Sequence, residues 1–310
     1  MRARATSRDG YRWSGTASRL LLATMGVALA ASLCRAQDAP PPPALPAAKS
    51  ASKPETKPET KPACIRPTFR VVLDIGHTTD DPGAISARGT GEFVFNQVLA
   101  LDIEHRLVDA GFAQVTMLLE AGPGKRSLYR RMARANRLAG DIFLSIHHDA
   151  VPDSFLKDWE YEGTARHFSD RFKGHSIFVS YANRHARQSL QLARLIGRQM
   201  KARELHYTPH YAETFMGRYR RQLLDADVGV YRYDRLHVLK TSRAPAVLLE
   251  AGSILNREEE LALATPERRA LIADAVAAAI EDYCALTSPT NRIATRHKGR
   301  AKHSRAAVNR

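Results

Sequence analysis

Apolar residues in this chain fall into short, nearly continuous runs separated by longer stretches in which they recur every three or four positions. The short runs, at 69–75, 114–119, 141–147, 175–181, 236–240 and 246–250, predict strands. The third and the last are the most continuous, as expected of central strands covered on both faces. The longer stretches, at 93–110, 125–138, 183–203 and 266–284, predict helices; the first sets Val94, Val98, Leu101, His105 and Val108 on one stripe. Thr265 before Pro266 reads as an N-cap and a first helical residue, and Asn256 with Glu259 reads as a capping box opening a shorter helix. This alternation predicts one α/β domain over residues 64–285. Two segments, 151–174 and 206–230, break it. They are long, polar and rich in aromatic residues, the character of functional loops rather than plain turns.

The ends have a different character. Arg2, Arg4, Arg8, Arg12 and Arg19 precede an apolar run at 20–33, and Cys34-Arg35-Ala36 offers small residues for cleavage, so residues 1–36 read as a secretory signal. The run is short of the roughly 20 residues that span a bilayer, so no stable membrane span is expected once the signal is cut. Residues 37–63, with a KPET tetrapeptide written twice, read as an extended linker, and 286–310 as a solvated basic tail. The formal charge of +15 is therefore misleading: the signal segment, six arginines against Asp9, carries +5, the tail +7, and the rest only +3. With no aromatic-basic platform in the core, a nucleic-acid partner is not expected. A signal peptide places the protein in the periplasm or outside the cell.

Removing the signal leaves Cys64 and Cys284. A helix returning antiparallel to the strands ends near where strands begin, so the two meet if 64 precedes the first strand and 284 closes the last helix. In an oxidising compartment they are expected to form a disulfide; the alternative is a pair of free thiols.

The chemistry gathers at three strand ends. The stretch VVLDIGHTTDDPGAISARGTGE, Val71 to Glu92, runs from a buried strand through Gly76 into His77, then through a glycine-rich loop to Glu92 at a helix start. DIFLSIHHDA repeats the arrangement, ending in His147, His148 and Asp149, and APAVLLEAGSILN places Glu250 where an apolar strand would continue. A lone buried carboxylate is costly unless paired, protonated or beside a metal. Two neutral imidazoles and one carboxylate, with a fourth position open, form the ligand set of a catalytic zinc, and a second carboxylate then suits a general base. Neighbouring strand residues point to opposite faces, so His147 and His148 cannot both serve; His147 continues the phase of the strand before it.

Taken together these motifs resemble the zinc-dependent N-acetylmuramoyl-L-alanine amidases. DIGHTTDDPGA, GTGEFVFN, SLYRRMARAN, IFLSIHHDA and PAVLLEAGSILN match that family's pattern in order between about Val71 and Asp282. The resemblance implies one Zn2+ per chain held by His77, Glu92 and His147, with Glu250 catalytic. It also implies a twisted, mostly parallel sheet of about six strands flanked by helices. The substrate it implies is peptidoglycan, cut between the lactyl group of N-acetylmuramic acid and the first alanine. Two departures bear on substrate fit: His-Thr-Thr-Asp-Asp stands where the family often has His-Gly-Gly, and Ser253 where an aromatic residue commonly follows the last glycine.

Arg88, Arg131 and Lys240 are candidates for binding stem-peptide carboxylates. Some relatives carry a helix that covers the zinc until a protein activator moves it, and YAETFMGRYRRQLL has helical spacing with Glu213 as a candidate cap on the metal; the simpler reading is a groove wall. The rival functions are a non-catalytic cell-wall peptide-binding protein and a zinc peptidase cutting within the stem.

Overall fold

The computed structural model describes residues 64–288; the expected signal, the linker and most of the basic tail lie outside the described residues. The chain forms β1 (Arg70–Ile75), α1 (Glu92–Asp109), β2 (Gln114–Leu118), α2 (Gly124–Leu138) and β3 (Ile142–Asp149). The first irregular segment then contains a hairpin, β4 (Lys157–Tyr161) and β5 (Thr164–Phe168), before β6 (Ser176–Val179) and α3 (Ala186–Lys201). The second contains two 3-10 turns, His210–Ala212 and Thr214–Tyr219, and leads into β7 (Gln222–Asp225) and β8 (Val230–Arg232). The chain closes with α4 (His237–Thr241), β9 (Ala246–Ser253), α5 (Arg257–Ala264) and α6 (Pro266–Thr287).

Seven strands make one sheet in the order β2-β1-β3-β9-β6-β8-β7, and β4-β5 stand apart as a two-stranded unit. β2, β1, β3 and β9 are parallel; β6 joins antiparallel to β9, and β7 antiparallel to β8. The chain leaves β1 for β2 on one side and returns to β3 on the other. This reversal opens a crevice at the carboxyl ends of β1 and β3, the place where open α/β sheets put their sites.

Period-two burial explains the two covered faces. Val71, Leu73 and Ile75 of β1 and Ile142, Leu144 and Ile146 of β3 pack with Leu99, Ile103, Leu192, Ile196, Val276 and Ile280 of α1, α3 and α6. Val72, Phe143 and Leu248 face the other way, against Met132 and Ala135 of α2 and Val238 and Leu239 of α4. Among the described residues no helix is long and apolar enough to cross a membrane.

The predicted strand at 236–240 is a helix instead. Val238 and Leu239 are adjacent and buried in the same core, which a strand cannot arrange, and the Lys240 amide donates to Leu236 O at 3.0 Å. A five-residue apolar run carries no period that separates the two states. The sheet also has seven strands rather than about six, because β7 lies within the polar segment 206–230 and β8 starts at its last residue, both too short to read as apolar runs. At α5 the capping box is half present: Asn256 Oδ1 accepts from the amides of Glu258 and Glu259, at 3.2 and 2.9 Å. The Glu259 carboxylate goes elsewhere, accepting from the amides of Gly174 and Ser253. The last helix runs to Thr287, so the first two residues read as tail are helical.

Cys64 and Cys284 form a disulfide across 220 residues of chain, with Cα atoms 5.0 Å apart. Cross-linking so long a loop restricts the unfolded chain, so replacing both cysteines by serine is expected to cost about 2–4 kcal/mol. Urea unfolding without reductant would read this as a lower midpoint; an unchanged midpoint would refute it.

Candidate metal centre and active site

His77 follows β1 through Gly76, whose amide donates to Ile146 O at 3.0 Å and so continues the pairing with β3. His77 itself takes a left-handed backbone, φ 67°, uncommon for a residue with a side chain. Buried Arg131 of α2 holds it there, donating to Ile75 O at 2.6 Å and His77 O at 3.0 Å while pairing with Asp74 at 3.1 Å. Asp74 also accepts from Ser145 Oγ at 2.7 Å. Burial pushes the Asp74 carboxyl up and the Arg131 charge opposes it. A buried pair of this kind adds little net stability, but losing one partner strands the other.

Glu92 opens α1. Its Oε2 lies 3.0 Å from His77 Nε2 and its Oε1 lies 2.9 Å from His147 Nδ1. The donor atoms of His77, Glu92 and His147 all fall within 4.8 Å of one another, a group able to hold a metal ion. Two glycines make the space: a Cβ on Gly76 would stand 2.4 Å from His147 Cε1, and one on Gly83 2.6 Å from Glu92 Oε2. Side-chain exposure is 30% at His77, 15% at His147 and 5% at Glu92, so the cluster opens to solvent on the His77 side.

A buried relay fixes Glu92 from behind. Asn96, one turn along α1, donates to Glu92 Oε1 at 3.1 Å and to Gly76 O at 3.2 Å, while its carbonyl lies 2.8 Å from His148 Nδ1. His148 thus points to the α1 face, and burial pushes its pKa down to about 3, leaving a neutral ring. The strand alternation that separates His147 from His148 gives the first access to the cluster and makes the second a support for Glu92 through Asn96.

Register brings in the fourth group. β3 and β9 pair in parallel with His147 opposite Glu250, so both side chains leave the sheet on one face. Glu250 Oε2 is enclosed with no hydrogen-bond partner among the described residues. Burial, then the charges of Asp149 and Glu92, push its carboxyl well above the usual range. Asp149 is the neighbour that sequence reasoning passed over, although it sits in the same motif as His147. It is buried, accepts a 2.6 Å hydrogen bond from Tyr211 Oη, and is raised to about 7, chiefly by burial. Its Oδ2 lies 4.0 Å from His210 Nε2, and neither atom has a hydrogen-bond partner among the described residues.

The remaining candidates are placed elsewhere. Arg131 is not available to a substrate carboxylate, since its guanidinium is buried and used by Asp74 and the two carbonyls. Arg88 is likewise occupied: it pairs with Glu260 at 2.6 Å, donates to Arg257 O at 2.8 Å and lies over Trp159 and Tyr161. Lys240 lies in the last turn of α4, just before the loop that leads into the amino end of β9, away from the edge where Glu250 lies. Glu213 is exposed and outside the three-residue group. The helix expected around it is replaced by the two 3-10 turns with a kink at Gly217, and the segment is a wall whose Tyr211 reaches Asp149. Its repeated Arg and Tyr residues mimic helical spacing, but Gly217 adopts φ 51°, which ends the turn.

An α/β sheet that gathers two histidines and a carboxylate able to hold a metal ion, with a second acid at the same edge, has the arrangement of a hydrolase. The chain belongs to the N-acetylmuramoyl-L-alanine amidase family, whose model matches residues 71–282. It is accordingly a peptidoglycan amidase. Similar solved structures include the amidase Ami1 of Mycobacterium smegmatis, 20% identical with TM-score 0.55, covering 71% of this chain and 98% of that one. Another is an amidase of Clostridium difficile 630, 18% identical with TM-score 0.54, covering 72% and 100%. A third is the CwlD amidase of Clostridioides difficile, solved in complex with the GerS lipoprotein, 18% identical with TM-score 0.50, covering 70% and 99%. At these identities the likeness is one of fold. No curated protein sequence matches the chain.

Proposed function

We propose that the domain hydrolyses the muramoyl-alanine amide with zinc held by His77, Glu92 and His147 and with Glu250 as the proton carrier. The observation that carries the reading is the convergence of the three donor atoms within 4.8 Å, with Glu250 in register beside His147. Two imidazoles and a carboxylate suit zinc and leave a position open. Gly76 and Gly83 clear the space they need.

When bound there, zinc polarises the scissile carbonyl and makes a water acidic enough to attack near neutral pH. The chain supplies the rest. Asn96 and the His148 amide fix Glu92, so the three donors are set before substrate arrives. Glu250 takes the proton of the attacking water and returns it to the alanine nitrogen as the carbon–nitrogen bond breaks. Enclosure of its carboxyl favours the protonated form and so makes it a good donor in the second half of the reaction. The stem peptide then leaves with a free amino terminus.

Action in the periplasm or outside the cell, after signal cleavage, belongs to the same proposal. So does a protein activator, on the ground that CwlD was solved with GerS. The test is zinc content and release of intact stem peptide from purified peptidoglycan, beside His77→Ala. About one zinc per chain with peptide release, both lost in the variant, is the expected result. Fragments cut within the stem would favour the peptidase reading, and absence of zinc the binding-protein reading.

A further inference from the structure

One cavity of about 1070 Å³ lies at the amino-terminal edge of the strands around Cys284 and Arg70, away from the catalytic groups. A second cavity of about 620 Å³ is more informative. Ser154, Phe155, Leu156, Lys157, Phe168, Ser169, Asp170, Arg171 and Arg257 line it, most of them from the irregular segment 151–174. The Ser169 amide donates to Leu255 O at 2.9 Å, and the Ile254 amide to Asp149 O at 3.2 Å, so the cavity wall is fastened to the end of β9. Leu255 is five residues beyond Glu250, and five residues span at most about 18 Å. The cavity therefore lies at the catalytic edge, within reach of a stem peptide whose first amide is at Glu250.

Its charges are unbalanced. Asp170 is taken by Arg257, which approaches it at 2.5 and 3.0 Å and adds its own amide at 3.1 Å. Lys157 also acts on Asp170 at longer range, and Arg171 has no ion-pair partner among the described residues, so three cations share one acid in the lining. Arg171 is nonetheless held in place: its guanidinium lies 4.1 Å from the Phe215 ring centre, 5.2 Å from Phe172 and 5.6 Å from Phe155. These three rings pack edge-on or tilted against one another and join the two irregular segments. A guanidinium over ring faces is restrained in orientation while its N–H edge stays free, the arrangement that suits a planar carboxylate.

We propose that Arg171 and Lys157 form a subsite for a free carboxylate of the peptidoglycan stem peptide, beyond the bond that is cut. The proposal rests on the amidase reading and adds what that reading lacks, a cationic contact for the leaving peptide. It also replaces Arg88 and Arg131, whose donors are occupied.

The test compares the zinc-supplemented full chain with Lys157→Ala/Arg171→Ala, and with Lys173→Ala as a control that removes a charge already paired with Glu258. Two soluble substrates are used: a muramoyl tripeptide with free stem carboxylates, and the same compound with those carboxylates amidated. On the free acid the double variant is expected to raise KM about tenfold with kcat unchanged. On the amidated compound the double variant and the parent are expected to agree, and Lys173→Ala should match the parent on both. Equal KM values for parent and double variant on the free acid would overturn the subsite. Calorimetric binding of the uncut stem tripeptide is read in parallel. If the parent cleaves neither substrate, the amidase reading fails; weaker tripeptide binding by the double variant would still support the subsite, and equal binding would overturn it.

Discussion

Glu250→Gln is expected to keep its zinc and lose about a hundredfold to ten-thousandfold in turnover, the range that a positioned proton carrier contributes. Glutamine preserves the volume and the strand pairing, so the β3–β9 register that puts residue 250 beside His147 is retained. What disappears is a group able to accept a proton from water and pass it to the alanine nitrogen. The effect should fall on kcat, with little change in KM, because the lost interaction belongs to the transition state. The measurements are metal content by mass spectrometry and peptide release over a pH series. Near-normal turnover with zinc in place would remove Glu250 from the mechanism and turn attention to Asp149, the other raised carboxyl at this edge.

Gly76→Ala is expected to lower activity through the metal rather than through the fold. The new methyl would stand 2.4 to 2.7 Å from Cε1, Nε2 and Nδ1 of His147, closer than non-bonded atoms approach. The three nearest atoms all belong to the imidazole, and displacing it breaks the 2.9 Å contact with Glu92. We expect zinc affinity to fall by about tenfold to a hundredfold, a loss comparable to removing an outer support of a ligand. The core beneath, where Leu73, Ile75 and Ile146 pack, is untouched, so the circular dichroism spectrum should match the parent. Gly163→Ala is the control. Gly163 has φ 70° at the tip of the β4–β5 hairpin with open space around it, so alanine there brings about 1–2 kcal/mol of backbone strain and no metal defect. Unchanged zinc affinity in Gly76→Ala would argue against His147 as a ligand.

Much of this domain was legible because its signals are local. The nearly continuous strands at β3 and β9 and the amphipathic helices carry periods that backbone geometry imposes, and the Thr265 cap acts within one turn: its Oγ accepts from the Arg268 amide at 3.2 Å. The failures have equally physical causes. Five apolar residues at 236–240 satisfy a strand and a helix alike. The stretch from 222 to 232 hid two strands because β7 and β8, of four and three residues, are too short to show an alternation. Arg131 and Arg88 looked like free cations because a sequence does not reveal which carboxylates will fold against them. Arg171 was passed over for the opposite reason: its lack of a partner becomes visible only once Asp170 is seen to be claimed by Arg257.

By itself, then, the sequence determined the strand and helix inventory of most of the sheet and the four residue types that the chemistry requires. It also placed each at the end of an apolar run, since a run of that length must be buried and its polar terminus must emerge at an edge. That Glu250 stands beside His147, that Asp149 is clasped by Tyr211, and that Arg131 supports a backbone were decided only by the tertiary structure. Register, strand order and ion-pair choice are relations between segments far apart in the chain. Each is set by which faces bury together, a competition that no local pattern encodes.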